Sequence, residues 1–285
     1  MNIFLAILPT IILAKYIYNK DEVEKEPHSL LVLLFIAGIL SALTTIVISL
    51  LLYTIPFFDY DDLSMSGVIL FIKVFFGVGL VEEFSKWIYI YLIGYRNKAF
   101  NYLYDAIVYS VFVSLGFATI ENIIYVAQYG SEVALYRMVL SVPGHAFFGV
   151  AMGYYLGLSK LANIHNMHDK STIYLLMSIF VPTFIHSTFD YLIMDELMLI
   201  YYIFVIGLYI YALSKVRKIS KITVDLFGHD NNVYGKFGTG VVQQINNSEQ
   251  LETTTSTSNT VPEYCDSCGS KLSGPFCTNC GKKMY

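Results

Sequence analysis

Glu82, Glu83 and Lys86 stand within about one turn of each other in GLVEEFSKWIYIYLIGY, a stretch otherwise rich in Ile, Leu, Val, Phe, Trp and Tyr. A charge at the centre of a bilayer costs roughly 3 kcal/mol or more, so three in one turn point to chemistry rather than packing. Other apolar runs carry Glu121 with Asn122 (GFATIENIIY), His145 (PGHAFFGVAMGYYLG) and His186 with Asp190 (PTFIHSTFDY). Glu82 and Lys86, like His186 and Asp190, are four residues apart, and Glu83 and Lys86 are three apart, so each set shares a helix face. His145 shares its face with Gly149, Gly153 and Gly157, a small-residue stripe that admits a close neighbour and turns the imidazole toward protein. Carboxylates and imidazoles gathered from four separate helices can take and give protons. Such groups serve a hydrolase that must activate water, and they also serve proton-coupled carriers.

Blander readings cover the other polar residues. Asn122 reads as a hydrogen bond between helices, Asp105 as an end residue at the membrane interface, and Lys73 as a side chain snorkelling outward. The Tyr and Phe content reads as interface belt and packing. For the glutamate pair, a structural reading as an ion pair with Lys86 leaves one carboxylate unmatched.

The elements that must position these groups are membrane spans. Of 285 residues, 55% are hydrophobic and only 14% charged, with a mean hydropathy of +0.56; soluble domains carry about a quarter charged residues. The net charge of −4 gives no basis for nucleic-acid binding. Apolar runs of about 20 residues, enough to cross a bilayer, recur near Ile3–Tyr18, Leu30–Tyr53, Val68–Gly94, Ala106–Tyr129, Met138–Leu158, Thr172–Ile193 and Leu197–Leu213. The sequence thus predicts an all-α polytopic membrane protein of about seven transmembrane helices, the last two alternatively forming one re-entrant hairpin. The first run lacks a basic leader and a small-residue cleavage site, so it reads as a span and not as a signal peptide.

Basic residues alternate along the connections. Lys15, Lys20 and Lys25 lie in or beside the first, Arg96 and Lys98 in the third, Lys160 and Lys170 in the fifth, and Lys215, Arg217, Lys218 and Lys221 follow the last run. The second and sixth connections have no Lys or Arg, and the fourth has only Arg137. The positive-inside rule then places the N-terminus outside and the C-terminus in the cytoplasm of a multi-pass cell-membrane protein. In that orientation Glu121, His145 and His186 each fall about seven or eight residues from the outer end of their span, roughly 10–12 Å deep at 1.5 Å per residue. The glutamate pair falls at a similar level if the hydrocarbon part of its long span begins near Lys73.

Composition changes abruptly beyond the membrane region. The expected organisation is a transmembrane domain over 1–215, a flexible cytoplasmic linker over 216–263 and a small domain over 264–285. The linker is rich in Asn, Thr, Ser, Gly and Gln, with LETTTSTSNT as its extreme, and cannot bury a core. All four cysteines come after it: Cys265, Cys268, Cys277 and Cys280 form two CxxC knuckles, with Gly269 and Gly281 at the turns. This is a zinc-ribbon pattern, and on the cytoplasmic side thiols stay reduced, which disfavours two disulfides. Four protein ligands make the zinc structural, with no open position for chemistry. The ribbon reads as a docking or sensing module whose partner the sequence does not name.

Taken in order, EExxK at Glu82–Lys86, FxxxEN at Phe117–Asn122, the His145 segment ending in glycines and HxxxD at His186–Asp190 resemble the motifs of PrsW-type intramembrane proteases. YNKDEVEKEPHSLL resembles that family's first loop. The resemblance spans roughly residues 1–215 and extends more distantly to CAAX-type prenyl endopeptidases. It implies an intramembrane endopeptidase that cuts a single-span membrane protein, of the anti-sigma-factor kind, on its extracytoplasmic side. It further implies catalytic roles for Glu82, Glu83, Lys86, Glu121, His145, His186 and Asp190. Three carboxylates cannot all be charged in a low dielectric without compensation. Glu82 is then the base, Glu121 shares the proton of the attacking water, and His186, oriented by Asp190, meets the oxyanion. His145 does the same or binds a metal, and Glu83 with Lys86 sets the charge balance. The family is described as metalloproteases, yet HExxH is absent; two histidines and a glutamate could ligate zinc, while analogy with the CAAX-type enzymes favours metal-free glutamate catalysis. The rival classes are a proton- or ion-coupled transporter, disfavoured because no internal repeat relates the two halves, and a non-catalytic membrane scaffold.

Overall fold

The computed structural model describes residues 3–58, 65–130, 136–221 and 226. The expected linker and zinc ribbon lie outside the described residues, apart from the linker's first few positions and Leu226. Helices occupy all seven predicted runs: α1 (Ile3–Lys20), α2 (His28–Leu52), α3 (Gly67–Val74) continuing into α4 (Leu80–Tyr89), α5 (Leu103–Tyr129), α6 (Ser141–Ile164), α7 (His168–Met194) and α8 (Met198–Ile219). Among the described residues, five helices are individually long and apolar enough to cross a membrane: His28–Leu52, Leu103–Tyr129, Tyr136–Ile164, His168–Met194 and Met198–Ile219. The last two runs are separate helices, each long and apolar enough to cross a membrane by itself. α7 and α8 are full helices of 27 and 22 residues joined by a tight turn in which Glu196 takes φ of 56°.

The third run is one helical path made of several pieces. A π-helical turn, Phe75–Gly79, joins α3 to α4, and a second, Ile90–Tyr95, follows α4. Proline is absent from this stretch, so the insertions stem from packing. A side chain at Gly79 would meet the Ser187 side chain and the Thr183 carbonyl of α7. The first π turn therefore sits where α7 crosses closest, immediately before the Glu82–Lys86 turn, in keeping with the habit of π-bulges to sit at functional sites.

α5 and α6 form the centre. In their apolar windows 72% and 78% of residues are buried, against 28–33% for α2, α7 and α8. The glycine stripe of α6 explains the close approach: Cβ atoms at Gly149, Gly153 and Gly157 would run into Ser114, Ala106 with Ile107, and Leu103 of α5. On its other side α5 meets α2 at a mutual glycine contact, Gly116 against Gly38. α7 packs on α6, and α4 fits between α2 and α7 while touching α5. One expectation about a single residue is corrected here: Lys73 does not snorkel outward but is 3% exposed. Asp105 is an end residue, in the first turn of α5, and is fully buried against protein. Asp105 accepts the backbone N–H groups of Asn101 and Tyr102 through Oδ2, at 2.9 and 2.7 Å, and so caps α5.

Candidate active site

α4 presents Glu82, Glu83 and Lys86 toward α5, α6 and α7 because the three share one face. The Lys86 ammonium, wholly buried, lies 2.7 Å from Glu83 Oε1, 3.4 Å from Glu82 Oε2 and 3.1 Å from His145 Nδ1, and sits 3.9 Å from the centre of the Phe117 ring. One cation thus ties α4 to α5 and α6. Glu83 Oε1 is shared with His186 Nδ1 at 2.8 Å, which brings in α7. His186 Nε2 then points to Asp190 Oδ2 at 3.3 Å and Glu82 Oε2 at 3.8 Å. Phe148 stacks on the His186 ring with centroids 4.6 Å apart, and the two imidazoles lie edge to face at 5.2 Å. On the opposite side His145 Nε2 is 2.7 Å from Glu121 Oε2, which also pairs with Arg137 Nη2 at 2.8 Å.

The two adjacent glutamates are not equivalent. The Glu83 side chain has no exposure, whereas those of Glu82, Glu121 and Asp190 are 12, 21 and 27% exposed. These three open onto a cleft of about 530 Å³ that is also lined by Arg137, His145 and His186, with walls of Tyr125, Tyr136, Phe148, Phe189 and Tyr201. The cleft lies where α5 and α7 end and α6 and α8 begin. Another hollow, about 510 Å³ between α1, α6 and α8, is lined almost wholly by apolar side chains and carries none of these groups.

All seven residues singled out in the sequence therefore lie in one cluster. The pairing differs in detail: Glu83 holds His186 more tightly than Asp190 does. Sequence reasoning missed Arg137, which it counted only as a loop charge. Arg137 instead clamps Glu121, donates from Nε to Asn122 Oδ1 (3.2 Å) and lies over the Tyr125 ring at 3.9 Å. The available signal was a lone arginine in an otherwise base-free connection, close in sequence to Glu121 and Asn122.

Donor atoms of Glu82, Glu83, His145 and His186 lie within 4.8 Å of one another, and two imidazoles with two carboxylates are ligands that zinc accepts. Lys86 Nζ, however, already rests against three of these four side chains. A divalent ion drawing on them would sit beside a wholly buried ammonium, and like charges so close repel. With Lys86 in place the set does not fit a resident divalent ion.

Residues 26–214 match the family model described as PrsW family intramembrane metalloprotease. This chain belongs to the PrsW family. Protease PrsW of Geobacillus kaustophilus (strain HTA426) is 37% identical over 216 residues, covering 74% of this chain and 89% of the relative. Protease PrsW of Bacillus subtilis (strain 168) is 33% identical over 223 residues, 76% and 95% of the two chains, and that of Clostridioides difficile (strain 630) is 33% identical over 222 residues, 75% and 89%. No solved structure matches. As a PrsW protein the chain is a multi-pass membrane protease acting on membrane-protein substrates. The matched PrsW region holds all seven clustered residues and Arg137, and ends before the linker and the four cysteines.

Proposed function

We propose that this protease hydrolyses one peptide bond of a single-span membrane protein, of the anti-sigma-factor kind, near the extracytoplasmic face, with Glu82 as the base that activates water. The observation that carries this reading is the asymmetry of the glutamate pair. Glu82 borders the cleft, while Glu83 is enclosed and committed to Lys86 and His186. Water held between Glu82 and Glu121 gives a proton to Glu82 as its oxygen attacks the scissile carbonyl carbon. His186 is fixed through Nδ1 by Glu83 and presents Nε2 to the cleft, where it can donate to the oxyanion. When the C–N bond breaks, the proton taken up by the base passes to the leaving amine. His145, held between Lys86 and Glu121, keeps Glu121 aimed at the same water. Lys86 balances the two glutamates at fixed range, the service a metal would otherwise give. The outward position of the cleft rests on the alternation of basic connections.

The test uses purified full-length protein in liposomes and a single-span substrate whose outer juxtamembrane segment is varied. Glu82→Gln keeps the shape and removes the base. Its kcat is expected to fall about 10²–10⁴-fold, the usual contribution of general base catalysis, while chelator leaves wild-type cleavage intact. Cleavage abolished by a zinc-selective chelator with Mg²⁺ in excess, and restored by zinc, would move the protein to the metalloprotease class. Equal cleavage by both proteins would remove Glu82 from the role of base.

A further inference from the structure

At the end of α5 away from Glu121, three carboxylates converge outside the protease cluster. Asp21 follows α1, Glu26 lies in the connection to α2, and Asp105 is in the first turn of α5. An oxygen of each lies within 4.8 Å of the others, and the residues are 2, 3 and 0% exposed. Their neighbours satisfy only part of this charge. Tyr109 Oη donates to Glu26 Oε2 at 2.7 Å, and Asp105 Oδ2 takes two backbone N–H groups at the cap. The Lys25 ammonium donates to the backbone carbonyls of Tyr18 and Asp21 rather than to a carboxylate. Glu24 is occupied with the Asn101 amide at 2.9 Å. Asp21 Oδ2 and Asp105 Oδ1 remain buried without a hydrogen-bond donor. A buried anionic oxygen left so is costly. An all-oxygen, all-anionic donor set without Cys or His suits hard cations rather than zinc or copper.

We propose that Asp21, Glu26 and Asp105 bind a hard divalent cation of the Mg²⁺, Mn²⁺ and Ca²⁺ class, which fastens the α1–α2 connection to the start of α5. The site is separate from the catalytic cluster: Asp105 and Glu121 are sixteen residues apart on one helix, roughly 24 Å at 1.5 Å per residue. In the orientation argued above it faces the cytoplasm.

The experiment titrates full-length protein in detergent micelles with Mn²⁺, following free Mn²⁺ by electron paramagnetic resonance, and measures Tm in Mg²⁺, Ca²⁺ and Mn²⁺. Wild type and Glu82→Gln are expected to bind Mn²⁺ alike and to show a saturable rise in Tm. Asp21→Asn and Glu26→Gln should weaken Mn²⁺ binding about tenfold or more, since even outer partners of metal ligands contribute 10–100-fold, and should lose the rise in Tm. Asp105→Asn should do the same while keeping an oxygen for the helix cap. Asp21→Asn keeps an oxygen for the Glu24 backbone N–H, the hydrogen bond that the Asp21 carboxyl accepts, so it separates loss of binding from loss of folding. A wild-type protein indifferent to all three cations would overturn the proposal, leaving shared protons to satisfy the carboxyls. Binding that persists unchanged in Asp21→Asn and Glu26→Gln, or that Glu82→Gln abolishes, would overturn it equally.

Discussion

Glu82 and Glu83 are chemical twins separated by one peptide bond, and their surroundings give them opposite duties. Glu83 is the fully buried counter-ion of Lys86, and breaking a buried pair by removing one partner typically costs about 3–5 kcal/mol. Glu83→Gln is therefore expected to lower the Tm of the detergent-solubilised protein clearly, whereas Glu82→Gln loses cleavage with Tm close to wild type. Equal loss of stability in both would contradict the division of labour. Arg137 acts through Glu121 as a positioning residue. Arg137→Ala should lower kcat/KM about tenfold or more and displace the pH profile of cleavage, and Arg137→Lys should restore part of both, because it returns the charge without the two-pronged geometry. A profile unmoved by Arg137→Ala would reduce Arg137 to packing. The catalytic candidates were legible at this scale because charge is expensive in a bilayer and each such residue announces itself. Arg137 was not, because an arginine in a connection has an ordinary explanation, and only the fold reveals that this one turns back onto α5.

At the scale of elements, the glycine stripe of α6 lets α5 and α6 touch and so holds His145 beside Glu121. Gly153 faces backbone atoms of Ala106 and Ile107, which cannot rotate away as a side chain could. Gly153→Leu should therefore destabilise by about 1–3 kcal/mol or more, the usual cost of overpacking, and lower activity with it. A well-folded, active Gly153→Leu protein would show that the helices have room to separate. The α1–α2 connection gives a second prediction. Burial lifts the Asp21 carboxyl to about 6 from 3.8 and that of Glu26 to about 7 from 4.5, despite the opposing pull of Lys25 on Asp21 and of the Tyr109 hydroxyl on Glu26. Asp105 and Glu24 crowd the same place. Between those values the native state holds more protons than the unfolded chain, so stability is lost as pH rises from about 4 through 7. In cation-free buffer the Tm of wild type should fall over that range more steeply than that of an Asp21→Asn, Glu26→Gln double variant. Parallel curves would refute the assignment. Helix positions and the α5–α6 contact were readable from apolar runs and small-residue spacing. The π turns were not; the first lies where α7 crosses at Gly79, a tertiary contact that no local pattern records.

For the whole molecule, the described helices belong to one unit, Met1–Asp230. A chain ending after Asp230 keeps Leu226, whose N–H donates to the Asn101 carbonyl at 2.6 Å, and should retain the Tm and the cleavage activity of the full protein. Loss of both on truncation would assign the cysteine-rich end a structural part in the protease. Sidedness is open to direct measurement. Single cysteines placed near Arg137 and near Lys98 in a cysteine-free background should react with an impermeant maleimide from outside only at the former. The reverse pattern would invert the topology and with it the side of cleavage.

The contacts in the cleft run without interruption from one wall to the other: Arg137 to Glu121, to His145, to Lys86, to Glu83, to His186 and on to Asp190. Along this line Glu121, His145, Glu83 and His186 lie close enough to titrate as a coupled set, and the apparent constants of such a set belong to no single member. The two limbs of the enzyme's pH–rate curve should accordingly be common property. A change at Asp190, on α7, would move the limb that a change at Arg137, beside α6, also moves, and the double variant would fall short of the product of the two. The protease would then carry one collective acid–base instrument, tuned from either rim of its cleft.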